Sequence, residues 1–145
     1  MPKTITLETL CQHGACEYAC QTFKGLFGTE TIVTEELCVK HAQDFDWVWA
    51  GRLLSENKRK TYNETTEPAL VAYKNADETA WAAYKKVTEP VLVAFEKTNR
   101  TEPAQVAYRQ ATNAAWVAYQ QANNAAWVAY FETLAREWAR LYTED

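Results

Sequence analysis

Apolar positions in the second half of the chain recur every eleven residues. Tyr62, Tyr73, Tyr84 and Phe95 stand eleven apart, as do Tyr108, Tyr119 and Tyr130, and Leu141 keeps that register. Eleven residues over three turns is about 3.67 per turn, close to the α-helical value and far from a strand's period of two. A second column, Leu70, Trp81, Leu92, Gln105, Trp116, Trp127 and Trp138, lies within a turn of the first. Alanines fill the same side: Ala69, Ala80, Ala104, Ala115 and Ala126 in one column, Ala76, Ala111 and Ala122 in another. The reading is one broad apolar stripe, with Lys, Arg, Gln, Asn and Glu mostly opposite and a valine column (Val71, Val93, Val106, Val117, Val128) on one flank. Alanine is the best helix former, so local propensity agrees with the period.

Between Phe95 and Tyr108 the spacing is thirteen. Two extra residues rotate a helix by about 200° and would throw the stripe to the opposite face. The insertion falls at Lys97-Thr98-Asn99-Arg100-Thr101, followed by Glu102-Pro103. Thr101 is a good helix cap and Pro103 suits a first turn. We therefore expect a turn near 97–101 joining two antiparallel helices that bury their stripes on each other. Thr66-Glu67-Pro68 reads as the start of the first helix by the same signature. Thr88-Glu89-Pro90 repeats it without a change of phase, which points to a kink; a break into three helices is the alternative.

Residues 1–56 carry no repeat, yet hold all four cysteines, both histidines and all four glycines. They read as several short helices. One follows Thr4 or Thr6 and stops near Gly14; the next runs from Ala15 to Phe27 and ends at Gly28. After a brief extended Ile32-Val33, Thr34 caps a third helix reaching about Gln43, and Asp44 or Asp46 opens a fourth. Glu56 to Lys60 is either linker or continuing helix. A module this small needs support, and Trp47 or Trp49 is expected to lean on the base of the repeat hairpin. The expected division is thus a helical module at 1–56 and a repeat region at 57–145, in an all-α chain.

The segment Ala15-Cys16 with Phe23, Phe27 and Gly28, the TEELC and DFDWVWA segments, and the EPAxVAY-type repeats together resemble a group of small proteins encoded by bacteriophages and prophages, in which the repeat number varies. The resemblance covers essentially the whole chain. It implies a viral or prophage origin and carries over no catalytic or binding residue.

Composition narrows the classes further. An apolar content of 48% with six Trp and eight Tyr suffices for a core. A net charge of −4 provides no basic field for nucleic acid, and no apolar run has the length of a membrane span. The first ten residues lack the hydrophobic stretch of a signal peptide, so a cytoplasmic location is expected. Disulfides are disfavoured there.

Cys16-x3-Cys20 with Cys38-x2-His41 offers four ligands of the kind a structural zinc takes. The C-x2-C knuckle is absent and cysteine packs well as a small apolar residue, so buried thiols are the main reading and zinc at Cys16, Cys20, Cys38 and His41 the alternative. Cys11 or Cys38 beside His13 or His41 would be the only nucleophile pair, with no oxyanion-stabilising group to accompany it. We expect no enzyme and no cofactor. Stacking of bases on the aromatic stripe is disfavoured because its neighbours are Ala, Val and Thr rather than basic residues.

Large rings left in water need a cover, since burying each is worth roughly 2–3 kcal/mol. The expected function is therefore a protein–protein interaction, with a host or viral protein as partner and its inhibition as one outcome. The side chains expected to carry it, or to form the hairpin core, are Trp81, Trp116, Trp127, Trp138, Tyr73, Tyr84, Tyr108, Tyr119 and Tyr130. A homo-oligomer or filament, in which copies cover each other's stripes, is the alternative.

Overall fold

The computed structural model describes residues 2–144. It opens on a strand, β1 (Thr4–Thr6), and continues through α1 (Leu7–Gln12) and α2 (Glu17–Phe27) to β2 (Glu30–Ile32). The two strands pair antiparallel with Ile5 opposite Thr31. Next come α3 (Glu35–Lys40), α4 (Trp47–Ala50) and a 3₁₀ turn at Gly51–Leu53. Two helices of 42 residues each, α5 (Glu56–Lys97) and α6 (Glu102–Thr143), complete an all-α chain built on an antiparallel helical hairpin.

Side-chain caps set the short helices. Thr6 Oγ1 accepts the Thr9 N–H at 3.1 Å, Thr34 Oγ1 that of Leu37 at 3.1 Å, and Asp46 Oδ1 that of Trp49 at 3.0 Å. Each satisfies one of the orphan donors of a first turn. α2 starts at Glu17 rather than Ala15, because Cys16 takes the extended cap conformation, and it stops at Gly28 with φ of 76°. α3 ends at Lys40, short of Gln43. The strand pair was not legible in the pattern: three residues are too few to display a period of two.

α5 starts ten residues before the expected Thr66-Glu67-Pro68 signature, so the charged run at Glu56 is its first turn. Thr66 caps nothing; its hydroxyl donates to the Tyr62 carbonyl one turn back at 2.6 Å. Pro68 and Pro90 both stand inside the helix, which passes through them unbroken. Each removes a backbone bond that a normal residue would make. Pro90 is exposed, and Pro90→Ala is therefore expected to stabilise the protein by on the order of 1–3 kcal/mol. Urea denaturation followed by circular dichroism checks this; an unchanged midpoint would contradict it.

The turn between α5 and α6 falls where the thirteen-residue spacing puts it. Asn99 N–H donates to the Glu96 carbonyl at 3.3 Å and Arg100 N–H to that of Phe95 at 3.2 Å, the pair of bonds that closes a Schellman helix end. Asn99 and Arg100 take positive φ of 52° and 57°. Asparagine tolerates that region better than most residues, and the Arg100 guanidinium lies 5.9 Å from the Phe95 ring centre. Thr101 then offers its carbonyl to Gln105 N–H at 2.9 Å to begin α6.

Contacts gather the chain into two compact units, residues 1–69 with 128–145, and residues 70–127. The first is built from both ends of the chain. Its core holds Ile5, Leu10, Phe23, Val33, Cys38 and Trp47 from the N-terminal elements, Tyr62 from α5, and Phe131, Leu134, Ala135, Trp138, Ala139 and Leu141 from α6. Three aromatic tips are anchored in one short stretch of backbone. Trp47 Nε1 donates to the Ala42 carbonyl at 3.0 Å, Tyr62 OH to Trp47 at 2.8 Å, and Trp138 Nε1 to Ala50 at 2.8 Å. Buried aromatics with polar tips require such partners. Trp47 leans on Trp138, their ring centres 5.5 Å apart. Near the edge, the Arg140 guanidinium holds the Glu137 carboxyl below its usual range, and Glu137 also accepts from Thr65 at 3.0 Å. Tyr142 OH donates to the Thr4 carbonyl at 3.1 Å, and Lys3 Nζ to that of Glu144 at 2.9 Å.

Candidate interaction surface

Residues 70–127 pack as a bare pair of helices. With positions counted so that the Tyr/Phe column is eleventh in each repeat, the sheltered side chains occupy chiefly the fourth, seventh and eleventh, with Ala76 and Ala111 of the third beside them. At eleven residues per three turns, the fourth and seventh columns flank the eleventh by about 33° on either side. The seventh is alanine in most repeats, Ala80, Ala104, Ala115 and Ala126 among them, and small side chains let the backbones approach. The fourth is polar: Asp77, Thr88, Thr112 and Asn123. Sequence reasoning missed that column because it sorted residues by polarity alone.

Thr112, Asp77 and Asn123 find partners where they sit. Thr112 Oγ1 donates to the Tyr108 carbonyl at 2.9 Å within its own helix. Asp77 Oδ1 receives the Tyr119 hydroxyl at 2.7 Å and Asn123 Nδ2 at 2.6 Å, tying α5 to α6. The bond to Asp77 raises the Tyr119 phenol above its ordinary value. Because the folded state holds that proton more tightly, the bond is intact below the ordinary tyrosine range and is lost as pH rises through the raised pKa. Asp77→Ala is expected to return the Tyr119 titration, followed by ring chemical shift, toward its ordinary midpoint of 10.0. A midpoint that stays raised would show that something other than Asp77 causes the shift.

The tryptophans lie at the rim of this seam, about 65° round the helix from the tyrosines. Trp81 stacks on Tyr84 at 5.2 Å and meets Tyr119 edge-on at 5.6 Å. Trp116 mirrors it, edge-on to Tyr84 at 5.9 Å and tilted over Tyr119 at 5.4 Å. Tyr73 meets Trp127 at 5.3 Å, and Phe95 stacks on Tyr108 at 5.1 Å. Yet Trp81, Trp116 and Trp127 remain 42%, 44% and 38% exposed. The valines Val71, Val93, Val106 and Val117 are more open still, at 46–50%. Their column turns away from the seam, on the outer face rather than a flank.

No family model, curated protein or solved structure matches this chain. The residues themselves must carry the reading.

The singled-out aromatics therefore separate into three settings. Tyr73, Tyr84, Tyr108 and Tyr119 are half-buried in the seam, and Trp81, Trp116 and Trp127 form its exposed rim. Trp138 is 3% exposed in the core of the first unit, with Tyr130 packed against that core. Burial raises the Tyr130 phenol.

The zinc candidates are not drawn together. Cys38 is buried and its thiol is pushed up to about 12 by desolvation, as an inert structural thiol would be. His41 Nδ1 pairs with Asp44 at 2.8 Å and its ring lies edge-on to Phe27. Cys16 is exposed at the cap of α2, while Cys20 lies beside Cys11. Among the described residues no group of three or more His, Cys, Asp or Glu is placed to hold a metal ion. A cavity of about 360 Å³ opens beside Cys38, walled chiefly by apolar side chains including Phe23, Phe27, Phe45 and Trp49. No helix is long and apolar enough to cross a membrane, among the described residues.

Proposed function

We propose that this is a non-enzymatic protein-interaction protein that docks on a protein partner through the outer face of residues 70–127. The observation that carries this reading is the exposed Trp rim together with the exposed valine column. Scattered apolar residues on a surface need no explanation, but here they recur at a fixed period along both helices, and repeated apolar surface of that kind is what a partner would cover. Tryptophan at such a patch is the residue type most often found to anchor an interface. The phage-type resemblance points to a bacterial host protein, met in the host cytoplasm, as the partner, with inhibition of that protein as one outcome.

The test is an affinity capture from bacterial lysate, with binding of the recovered protein then quantified. Val106→Lys with Val117→Lys alters the outer face without touching the seam and is expected to weaken that binding at least about tenfold, or 1.4 kcal/mol. Retention of full affinity by this variant, with helicity unchanged, would overturn the assignment of the surface.

A second reading is favoured by one observation. α5 and α6 already pair through the same repeat columns, so the repeats are complementary to themselves. Other copies of this chain would then cover the outer face. Sedimentation of the purified protein distinguishes the two: a monomer supports the docking reading, and a discrete oligomer that the double Lys variant dissolves supports self-assembly.

A further inference from the structure

Three thiols fall within ten residues of sequence at the corner between α1 and α2. Cys11 is in the last turn of α1, Cys16 caps α2, and Cys20 is one turn into it. The corner folds back tightly: Ala15 N–H bonds to the Leu10 carbonyl at 3.0 Å, and Gly14 has a positive φ of 79°. That reversal brings Cys11 Sγ to 3.2 Å from Cys20 Sγ. Core packing does not account for the pair, since Cys11 is exposed and Cys20 only half-buried. A disulfide needs a separation of about 2.05 Å, so closure takes about 1 Å of movement.

We propose that Cys11 and Cys20 form a site of reversible oxidative modification, closed to a disulfide by a peroxide and reopened by a small thiol. In the first step Cys11 sulfur attacks one oxygen of hydrogen peroxide. The O–O bond breaks, and the products are a sulfenic acid on Cys11 and one water. Cys20 sulfur then attacks Cys11 Sγ; the S–S bond forms, the S–O bond breaks, and the Cys20 proton leaves with the departing oxygen as a second water. Two electrons pass from the sulfurs to the peroxide. Reduction returns two thiols at the expense of two molecules of the small thiol, which leave as their own disulfide.

The roles of the two sulfurs differ by exposure. Cys11 faces solvent and meets the oxidant first. The Cys20 thiol is pushed up to about 11, first by its hydrogen bond with Cys11 and then by burial, so it keeps its proton until it resolves the sulfenic acid. Closure fastens α1 to α2. Leu10, Gly14, Ala15, Cys16 and Ala19, from this same corner, wall one side of the cavity in the first unit. Oxidation would therefore fix that wall while leaving buried Cys38 untouched.

The purified full-length chain is exposed to dilute hydrogen peroxide, quenched by alkylation, and cleaved after glutamate. Cleavage after Glu17 separates Cys20 from both Cys11 and Cys16. The wild type and Cys16→Ser are expected to lose the mass of two hydrogens and to yield a peptide pair bridged across that cut, restored to two peptides by glutathione. Cys11→Ser is expected to form the bridge at least about tenfold more slowly. Bridging in Cys11→Ser at the wild-type rate would assign the bond to Cys16 instead. Absence of the bridge in Cys16→Ser, whether its thiols stay free or link between chains, would overturn the proposal outright. Circular dichroism of each variant establishes that the comparison is between folded chains.

Discussion

Trp138→Ala is expected to be the most damaging single substitution in the chain. The ring is 3% exposed, packed at 5.5 Å on Trp47 and at 4.6 Å on Tyr142. Removing a buried aromatic of this size costs about 3–5 kcal/mol through lost burial and the cavity left behind. The change also removes the indole donor that the Ala50 carbonyl receives at 2.8 Å; one lost hydrogen bond costs about 0.5–1.5 kcal/mol more. Since whole domains are stable by only about 5–15 kcal/mol, the variant should leave the first unit mostly unfolded or close to its threshold. Trp138→Phe keeps most of the volume and loses only the donor, so its loss should be roughly half as large or less. Urea titration of the three proteins decides it. A loss below about 1 kcal/mol for the Ala variant would mean that the core does not depend on this ring.

The second large effect is Leu134→Ala, for which a loss of about 2–5 kcal/mol is expected. Leu134 is 1% exposed, with Ala135 and Ala139 fully buried beside it, so no mobile surface side chain can collapse into the space. Leu92→Ala is the informative comparison. It deletes the same atoms from a side chain that is 40% exposed, and should cost under about 1 kcal/mol. Equal losses at the two sites would contradict the burial pattern.

Leu134 also shows where the sequence is legible and where it is not. It stands in the fourth column of its repeat, where Thr66, Asp77, Thr88, Thr101, Thr112 and Asn123 stand in the others. The period of eleven, the helical state and the turn after Lys97 follow from spacing alone, because every column must advance together. Which column faces the neighbouring helix is a different matter. Trp and Tyr are equally apolar to a pattern reading, and the stripe they define is broad. The choice between them is made by the other helix: alanines in the seventh column let the backbones close, the tyrosine rings then fill the seam, and the larger indoles are displaced to its rim.

The polar fourth column escaped notice for a related reason. A threonine can bond to its own helix, as Thr112 does, and Asp77 finds Tyr119 and Asn123 across the seam. Neither satisfaction is visible without the partner helix. The start of α5 was misplaced because Thr-Glu-Pro is a good beginning for a helix in isolation. Tyr62, one turn earlier, donates to the Trp47 carbonyl and is held in the core, which extends the helix backward past that signal. Tertiary burial outweighs a local cap here.

The first unit joins residues 1–69 to residues 128–145, with 70–127 interposed. A ribosome delivers these pieces in order. The N-terminal elements therefore emerge with Trp47 and Tyr62 lacking their counterparts on α6, and must wait through the whole of the repeat hairpin. The repeats, whose partners are close in sequence, have no such delay. Every repeat added to or lost from the hairpin would lengthen or shorten that wait without changing what finally closes the core.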